Sequence, residues 1–300
     1  MVETARKICR RLHAYLDMDR YAGTVYAVYP DVVYCSTSVG MVSILTNARC
    51  LMPFSIVVNS TKPLTRYEIA EGQEVLLGNE KIEIPACEFN VDLSLATDYE
   101  LSLGSVQAVF LPVDLDIRMR HVLRAIETNA VEDDLSALAA DGKRNAFCET
   151  VAPHLDRLHA AFREQITAEC REVGASISGV GLGITPASDL FLCGYLAGYA
   201  ALSVALGRSR DRVLELTRET AGGAAAHTNE LGAALLLQSG EGLVSEDLFQ
   251  LLCNLFSDAN YAAIVANANK IASETDRGGT DLLTGVWLSI VHQYGGKPLE

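Results

Sequence analysis

"LDIRMRHVLRAIETNA", residues 115–130, is where the texture of the chain changes. Leu115, Met119, Val122, Leu123 and Ile126 fall on one stripe at helical spacing, the signature of an amphipathic helix. Working back from it, residues 23 to about 111 hold short runs rich in Val, Ile and Tyr: "GTVYAVYP", "DVVYCSTS", "MVSILTN", "FSIVVNS", "QEVLLGN" and "KIEIP". Pro30-Asp31, Gly40, Asn47 and Gly78-Asn79 punctuate them, which predicts many short strands joined by turns. "EVLL" and "GNEKIEI" read as a hairpin. The first twenty residues, with Ile8, Leu12, Tyr15 and Leu16 at helical spacing, read as a helix. Working forward, every apolar segment has the helical period. Strands first and helices afterwards is the α+β pattern. The expectation is a small antiparallel β-barrel or sandwich over residues 1–112 with an N-terminal helix, then an all-helical domain over 113–300, the switch falling near residues 112–118.

The bulk numbers narrow the function. Net charge is −14, from 24 basic and 38 acidic residues. Nucleic-acid binding needs clustered Lys and Arg, and the densest basic patch is only Arg6, Lys7, Arg10 and Arg11. No nucleic-acid partner is expected. A small anion remains open, because backbone N–H groups can hold one locally. The eight cysteines form no C-x-x-C pair and fit reduced thiols in the cytoplasm. The N-terminus is basic without an apolar stretch behind it, so no signal peptide is expected. No uncharged apolar run reaches about 20 residues, so no membrane span is expected.

The segment "GVGLGITPASDLFLCG", residues 179–194, sets glycines directly against a helix start. Thr185 suits the N-cap and Pro186 the first helical position. The helix beyond is apolar nearly all round, hence buried, so its positive N-terminal end points into the protein. Glycines in front let a ligand approach the backbone. The segment is neither a P-loop nor a dinucleotide fingerprint, and by composition a tight turn between buried helices suits it equally. Residues 276–290, "DRGGTDLLTGVWLSI", repeat the grammar. "SDLFLCG" and "TDLLTG" share a hydroxyl, an aspartate, an apolar turn and a glycine. The echo predicts that Asp189 and Asp281 face one cavity with Gly183 and Gly279 nearby; ordinary capping by two first-turn aspartates is the alternative. Gly194, Gly198 and Gly285 read as small residues where buried helices pack.

Among the six histidines, His154 and His159 are five apart, not the four of a zinc pair, and read as packing or surface residues, while His13, His121 and His292 lack ligand partners nearby. "GGAAAHTNELG", residues 222–232, breaks a helical stretch with two glycines and gathers His227, Thr228, Asn229 and Glu230. His227 is therefore the preferred general acid–base. No nucleophile elbow occurs, and Cys193 lies within the buried helix. Asp189, Asp281 and Glu230 offer oxygen ligands that would suit Mg²⁺; no soft-metal cluster is visible.

These motifs resemble those of the AllH-type subunit of oxamate carbamoyltransferase. Members of that family carry G-x-G-x-G-[Leu]-Thr-Pro-Ser-x-Asp-Asp, an apolar run and a glycine. Here the segment stands as Gly179, Gly181, Gly183, Ile184, Thr185, Pro186, Ala187, Ser188, Asp189 and Leu190, closed by Gly194. A later motif, [Thr]-Ser-Gly-x-Asp-x-Leu-x-Gly, matches Gly278 to Gly285. The strand-rich third is also similar, so the resemblance runs from about Gly23 to His292. Three groups depart: Ala187 and Gly278 stand where the family has serines, and Leu190 where it has a second aspartate. The resemblance implies carbamoyl transfer from carbamoyl phosphate to oxamate, giving oxalurate and phosphate, in a complex with other subunits. Asp189, Asp281 and His227 are then the catalytic candidates. Gly179, Gly181, Gly183, Thr185, Ser188, Asn229, Gly278, Gly279 and Thr280 are the ligand-binding candidates. A non-catalytic subunit that keeps the anion cradle, and a structural partner with the loop empty, are the rival expectations.

Overall fold

The strand runs close into a barrel. The computed structural model describes residues 2–105, 110–140, 142–274 and 278–294, and the chain divides into two compact units, residues 1–101 and 102–300. In the first, β1 (Val2–Cys9) and α1 (Arg10–Met18) are followed by β2 (Tyr21–Val28), β3 (Val32–Thr37), β4 (Gly40–Leu45), β5 (Ser55–Val58), β6 (Glu74–Leu77), β7 (Lys81–Ile84), β8 (Phe89–Asp92) and β9 (Thr97–Tyr99). The order β5-β4-β3-β2-β6-β7-β8-β1 returns to β5, closing eight strands, and β9 adds to β1. Six seams are antiparallel; β4–β5 and β1–β8 are parallel, as is β1–β9. The expected hairpin is β6–β7, with Leu77 opposite Ile82. Closure removes the edges that an open sheet would expose, and eight strands enclose just enough space for side chains to fill. Ile8, Val33, Val42, Ile44, Ile56, Val58, Ile82, Ile84 and Val91 fill it, each fully buried.

The first twenty residues differ from the expected helix. Only α1 is helical; residues 2–9 are a strand that pairs with β5 along one edge and with β8 and then β9 along the other. A bulge between Ala5 and Lys7 shifts the register, so Ala5, Ile8 and Cys9 turn inward. Leu12, Tyr15 and Leu16, which set the helical period, lie in α1, and the bulge masks the strand alternation that would have set residues 2–9 apart from it.

The second unit holds ten helices among the described residues: α2 (Leu115–Asn129), α3 (Ala146–Val151), α4 (Leu155–Glu164), α5 (Thr167–Ile177), α6 (Ala187–Ala205), α7 (Arg210–Ala225), α8 (Glu230–Gly240), α9 (Glu246–Leu255), α10 (Tyr261–Ala272) and α11 (Gly279–Tyr294). α6 is long and apolar enough to cross a membrane, but Phe191, Leu192, Tyr195, Leu196, Tyr199 and Leu202 are wholly buried in the core of this unit. α11 lies against α6 at backbone distance. A Cβ on Gly194 would stand 1.9 Å from the Leu282 carbonyl oxygen, and one on Gly285 would stand 1.9 Å from that of Phe191. The two aspartate-bearing motifs are therefore joined by their own glycines. α5 and α7 meet in the same way: a Cβ on Gly174 would collide with Thr220 O at 2.4 Å and one on Gly223 with Arg171 O at 2.1 Å.

Candidate functional site

The segment before α6 owes its path to three glycines. Gly179, Gly181 and Gly183 have φ of 78°, 125° and 95°, in or near the left-handed region that side chains resist. Three such positions, alternating with ordinary residues, give the loop its curl. At Gly181 no side chain fits: a Cβ would lie 2.5 Å from Ala187 N.

Two side chains from the first turn of α6 hold this loop. Asp189 Oδ1 accepts the Gly179 N–H at 2.8 Å. Ser188 Oγ accepts the Val180 N–H at 2.9 Å, and the Ser188 N–H donates to Val180 O at 2.9 Å. The N-cap is Pro186, not Thr185, so α6 begins one residue later than expected. The reason is the Val180–Ser188 pairing, which satisfies a first-turn N–H without a capping side chain. Asp189 is fully buried. Burial raises its carboxyl, while the Thr228 hydroxyl and the Gly179 N–H oppose that rise.

The polar segment expected near His227 is the other wall. Thr228, which was not among the sequence candidates, donates its hydroxyl to Asp189 Oδ2. Asn229 caps α8, accepting the Gly232 N–H at 2.8 Å, and its amide donates to Ile184 O at 2.8 Å. His227 is exposed, and its carbonyl oxygen lies 2.4 Å from where a Gly179 Cβ would stand. The break in the chain differs from the expected one. Gly222 and Gly223 are inside α7, because Gly223 is where α5 approaches, and the helix stops only at Ala226. Asp189, Ser188, Thr185, Asn229, His227 and the three loop glycines thus form one cluster. Among the described residues, no acceptor meets the N–H groups of Gly181, Leu182, Gly183, Ile184 or Thr185. Leu182 is 66% and Ile184 37% exposed, so the loop is open to solvent.

Gly278, Gly279, Thr280 and Asp281 form a second cluster at the start of α11. Gly279 allows a turn so tight that a Cβ would stand 1.9 Å from Ile271 O. Thr280 is fully buried and its hydroxyl has no hydrogen-bond partner among the described residues. Asp281 is 5% exposed and accepts the Leu135 N–H on Oδ1 at 2.8 Å. Burial pushes its carboxyl up to about 7; the Leu135 N–H opposes this and Asp134 reinforces it. The Leu135 contact escaped sequence reasoning because it spans 146 residues; the only local signal was the Asp134-x-Ser136 turn, closed by the Ser136 N–H on Asp134 Oδ1 at 3.0 Å. A cavity of about 490 Å³ adjoins that turn, lined by Asp134, Ser136, Lys143, Arg144 and Asn145 among others; neither motif aspartate lines it. The two helix starts touch through Leu190, whereas each aspartate is held by its own donors.

A further buried polar group lies between α4, α6 and α11. His159 is 6% exposed, its Nδ1 lies 2.9 Å from the Tyr195 hydroxyl, and its ring stacks on His292 at 3.7 Å. Burial and the neighbouring His292 push it down to about 3. Among the described residues, no three acids, histidines or cysteines gather as a metal would require, and both oxygens of Asp189 are taken by donors of the protein itself. The Mg²⁺ expectation finds no support in that arrangement.

Comparison with known proteins follows the same division. The family model described as oxamate carbamoyltransferase subunit AllH matches residues 177–290. The model of the AllH family N-terminal domain matches residues 4–98. No curated protein matches the chain, and no solved structure does.

Proposed function

This chain belongs to the AllH family of oxamate carbamoyltransferase subunits, and from that premise we propose that it binds carbamoyl phosphate on the loop at residues 179–185 and takes part in carbamoyl transfer to oxamate or a related small amide. The observation that carries the reading is the run of five backbone N–H groups, Gly181 to Thr185, with no acceptor among the described residues. Such a run of donors suits a phosphate, and donors fixed in place before the reaction stabilise charge that develops during it. Asp189 and Ser188 act on the loop from behind, fixing its curl. A net charge of −14 suits a small anion held by backbone over a polyanion.

In the transfer, the amide nitrogen of oxamate attacks the carbamoyl carbon. A C–N bond forms, the C–O bond to phosphate breaks, and one amide proton leaves. His227, exposed beside Gly179, is placed in this reading to accept that proton. Asp281, pushed up to about 7 by burial, is about half protonated at neutral pH, and in this reading it is the proton source for the departing phosphate. The family name speaks of a subunit, so the complete enzyme would include other chains. Eight free thiols suit the reducing cytoplasm.

A binding-only role is the second reading, and one observation favours it: Asp189 is wholly enclosed, with both oxygens engaged by the protein itself. The deciding assay supplies carbamoyl phosphate and oxamate to the chain, alone and with its partner subunits, and follows phosphate and oxalurate. Gly181→Val and Gly183→Ala should both weaken carbamoyl phosphate binding in calorimetry. Turnover with wild-type binding in both variants would remove the loop from the reaction. Binding without turnover in the full complex would favour the second reading.

A further inference from the structure

Leu190 touches both glycine-fronted helix starts. A Cβ built on Gly278 would lie 2.3 Å from Leu190 Cδ1 and 3.0 Å from Asp281 Oδ2. The leucine methyl and the carboxyl oxygen therefore border the same small space over the Gly278 backbone. Asp281 Oδ1 is held by the Leu135 N–H. Oδ2 has no hydrogen-bond donor among the described residues. An unpaired carboxylate oxygen in a dry, apolar setting is costly, and the carboxyl avoids the cost by keeping its proton.

We propose that Leu190 is a positioning residue for Asp281: its methyl closes the Oδ2 side of the carboxyl to water and so keeps Asp281 a proton carrier, not a fixed anion. The inference rests on the reading of Asp281 as part of the reaction site. Gly278 is the other half of the device. Any side chain there would occupy the place of the leucine methyl, which ties a glycine at 278 to a leucine at 190. Among the described residues, the other titratable neighbours act in the same direction or feel the same field. Asp134, in the turn before α3, adds a like charge. Cys148 of α3 is itself raised, chiefly by burial, with Asp134 and Asp281 contributing. The Leu135 N–H opposes them.

The test reads Asp281 directly. The full chain is labelled with ¹³C at the aspartate side-chain carboxyl and titrated by NMR, Asp281→Asn identifying the signal. Wild type should titrate near neutrality. Leu190→Asn, which brings a polar group, and Leu190→Ala, which opens room for water, should each lower the midpoint by a unit or more, roughly tenfold in proton affinity. Leu190→Met, similar in volume, should keep the wild-type midpoint. A residue that only packed would lower stability in these variants and leave the titration unmoved. Unchanged midpoints in folded Leu190→Asn and Leu190→Ala overturn the proposal, as does a wild-type Asp281 that titrates like an exposed aspartate. The site reading fails separately: full turnover by Asp281→Asn would remove Asp281 from the reaction while leaving the titration result intact.

Discussion

At the scale of single residues, the buried titratable groups set signs that solution measurements can check. His159 is lowered from 6.5 to about 3. Its neutral form suits the fold, so the stability it contributes is present above 6.5 and is lost as pH falls toward 3. Asp281 is raised from 3.8 to about 7. Its contribution is present below 3.8 and is lost as pH rises through 7. Between about pH 4 and 6.5 the two slopes oppose each other. Urea unfolding across that window should show Asp281→Asn losing stability on acidification more steeply than wild type, and His159→Gln losing it on alkalinisation. Each difference should approach about 1.4 kcal/mol per pH unit, the limit for one proton. Parallel curves for all three proteins would refute the assignment. Asp189 supplies a second prediction. Asp189→Ala strands the Gly179 N–H and the Thr228 hydroxyl and should cost roughly 2–4 kcal/mol; Asp189→Asn keeps an acceptor for Gly179 and should cost less than half of that, by the same denaturation. Asp189, Ser188, His227 and Asn229 were legible in the sequence because glycines and caps mark them. His159 was not, because its partners at 195 and 292 are brought to it only by the fold.

At the scale of elements, what decides the helical unit is how closely backbones approach. Gly222 and Gly223 are adjacent in α7, yet a Cβ at 222 would meet only Arg171 NH1 at 3.5 Å, while one at 223 would strike Arg171 O at 2.1 Å. Gly222→Ala should therefore stabilise the protein by about 0.5–1 kcal/mol, the helix-propensity gain. Gly223→Ala should destabilise it by roughly 1–3 kcal/mol, since backbone must move. Thermal unfolding of the pair settles it; equal effects of the same sign would mean that α5 and α7 do not touch there. This contrast explains why the two glycines looked like a break in the sequence: local propensity counts both as helix-weakening, and the neighbouring helix that requires one of them is some fifty residues away in the chain. The same limit moved the start of α6. A Thr-Pro pair reads as cap and first residue, but the Val180–Ser188 pairing satisfies the first turn and leaves the threonine outside it. Leu190 belongs here too, since its role depends on α11 arriving beside it.

At the scale of the whole molecule, the change of period near residue 115 gave the order of strand block and helix block, because that order is a property of local pattern. Closure of the barrel was less legible. It depends on β1, whose bulge hides the alternation, and on two parallel seams that no turn signal announces. Removing residues 2–9 should expose the edges of β5 and β8 together; hydrogen exchange should then show protection lost around the whole barrel, not only beside the deletion. Protection confined to a local loss would mean that the barrel does not need β1. The position of that strand also has a consequence in time. β1 is made first, but β8 and β9, against which it must lie, are made last. At roughly 5–20 residues per second, about 5–20 seconds separate the synthesis of the strand from that of its partners. Throughout that interval the β8-facing edge of the strand has no partner, even once β5 has been made and can take the other edge, an invitation to its neighbours on the same message. Glu3, Arg6 and Lys7 interrupt the strand with charge, and such residues act as gatekeepers against association before the last strand arrives.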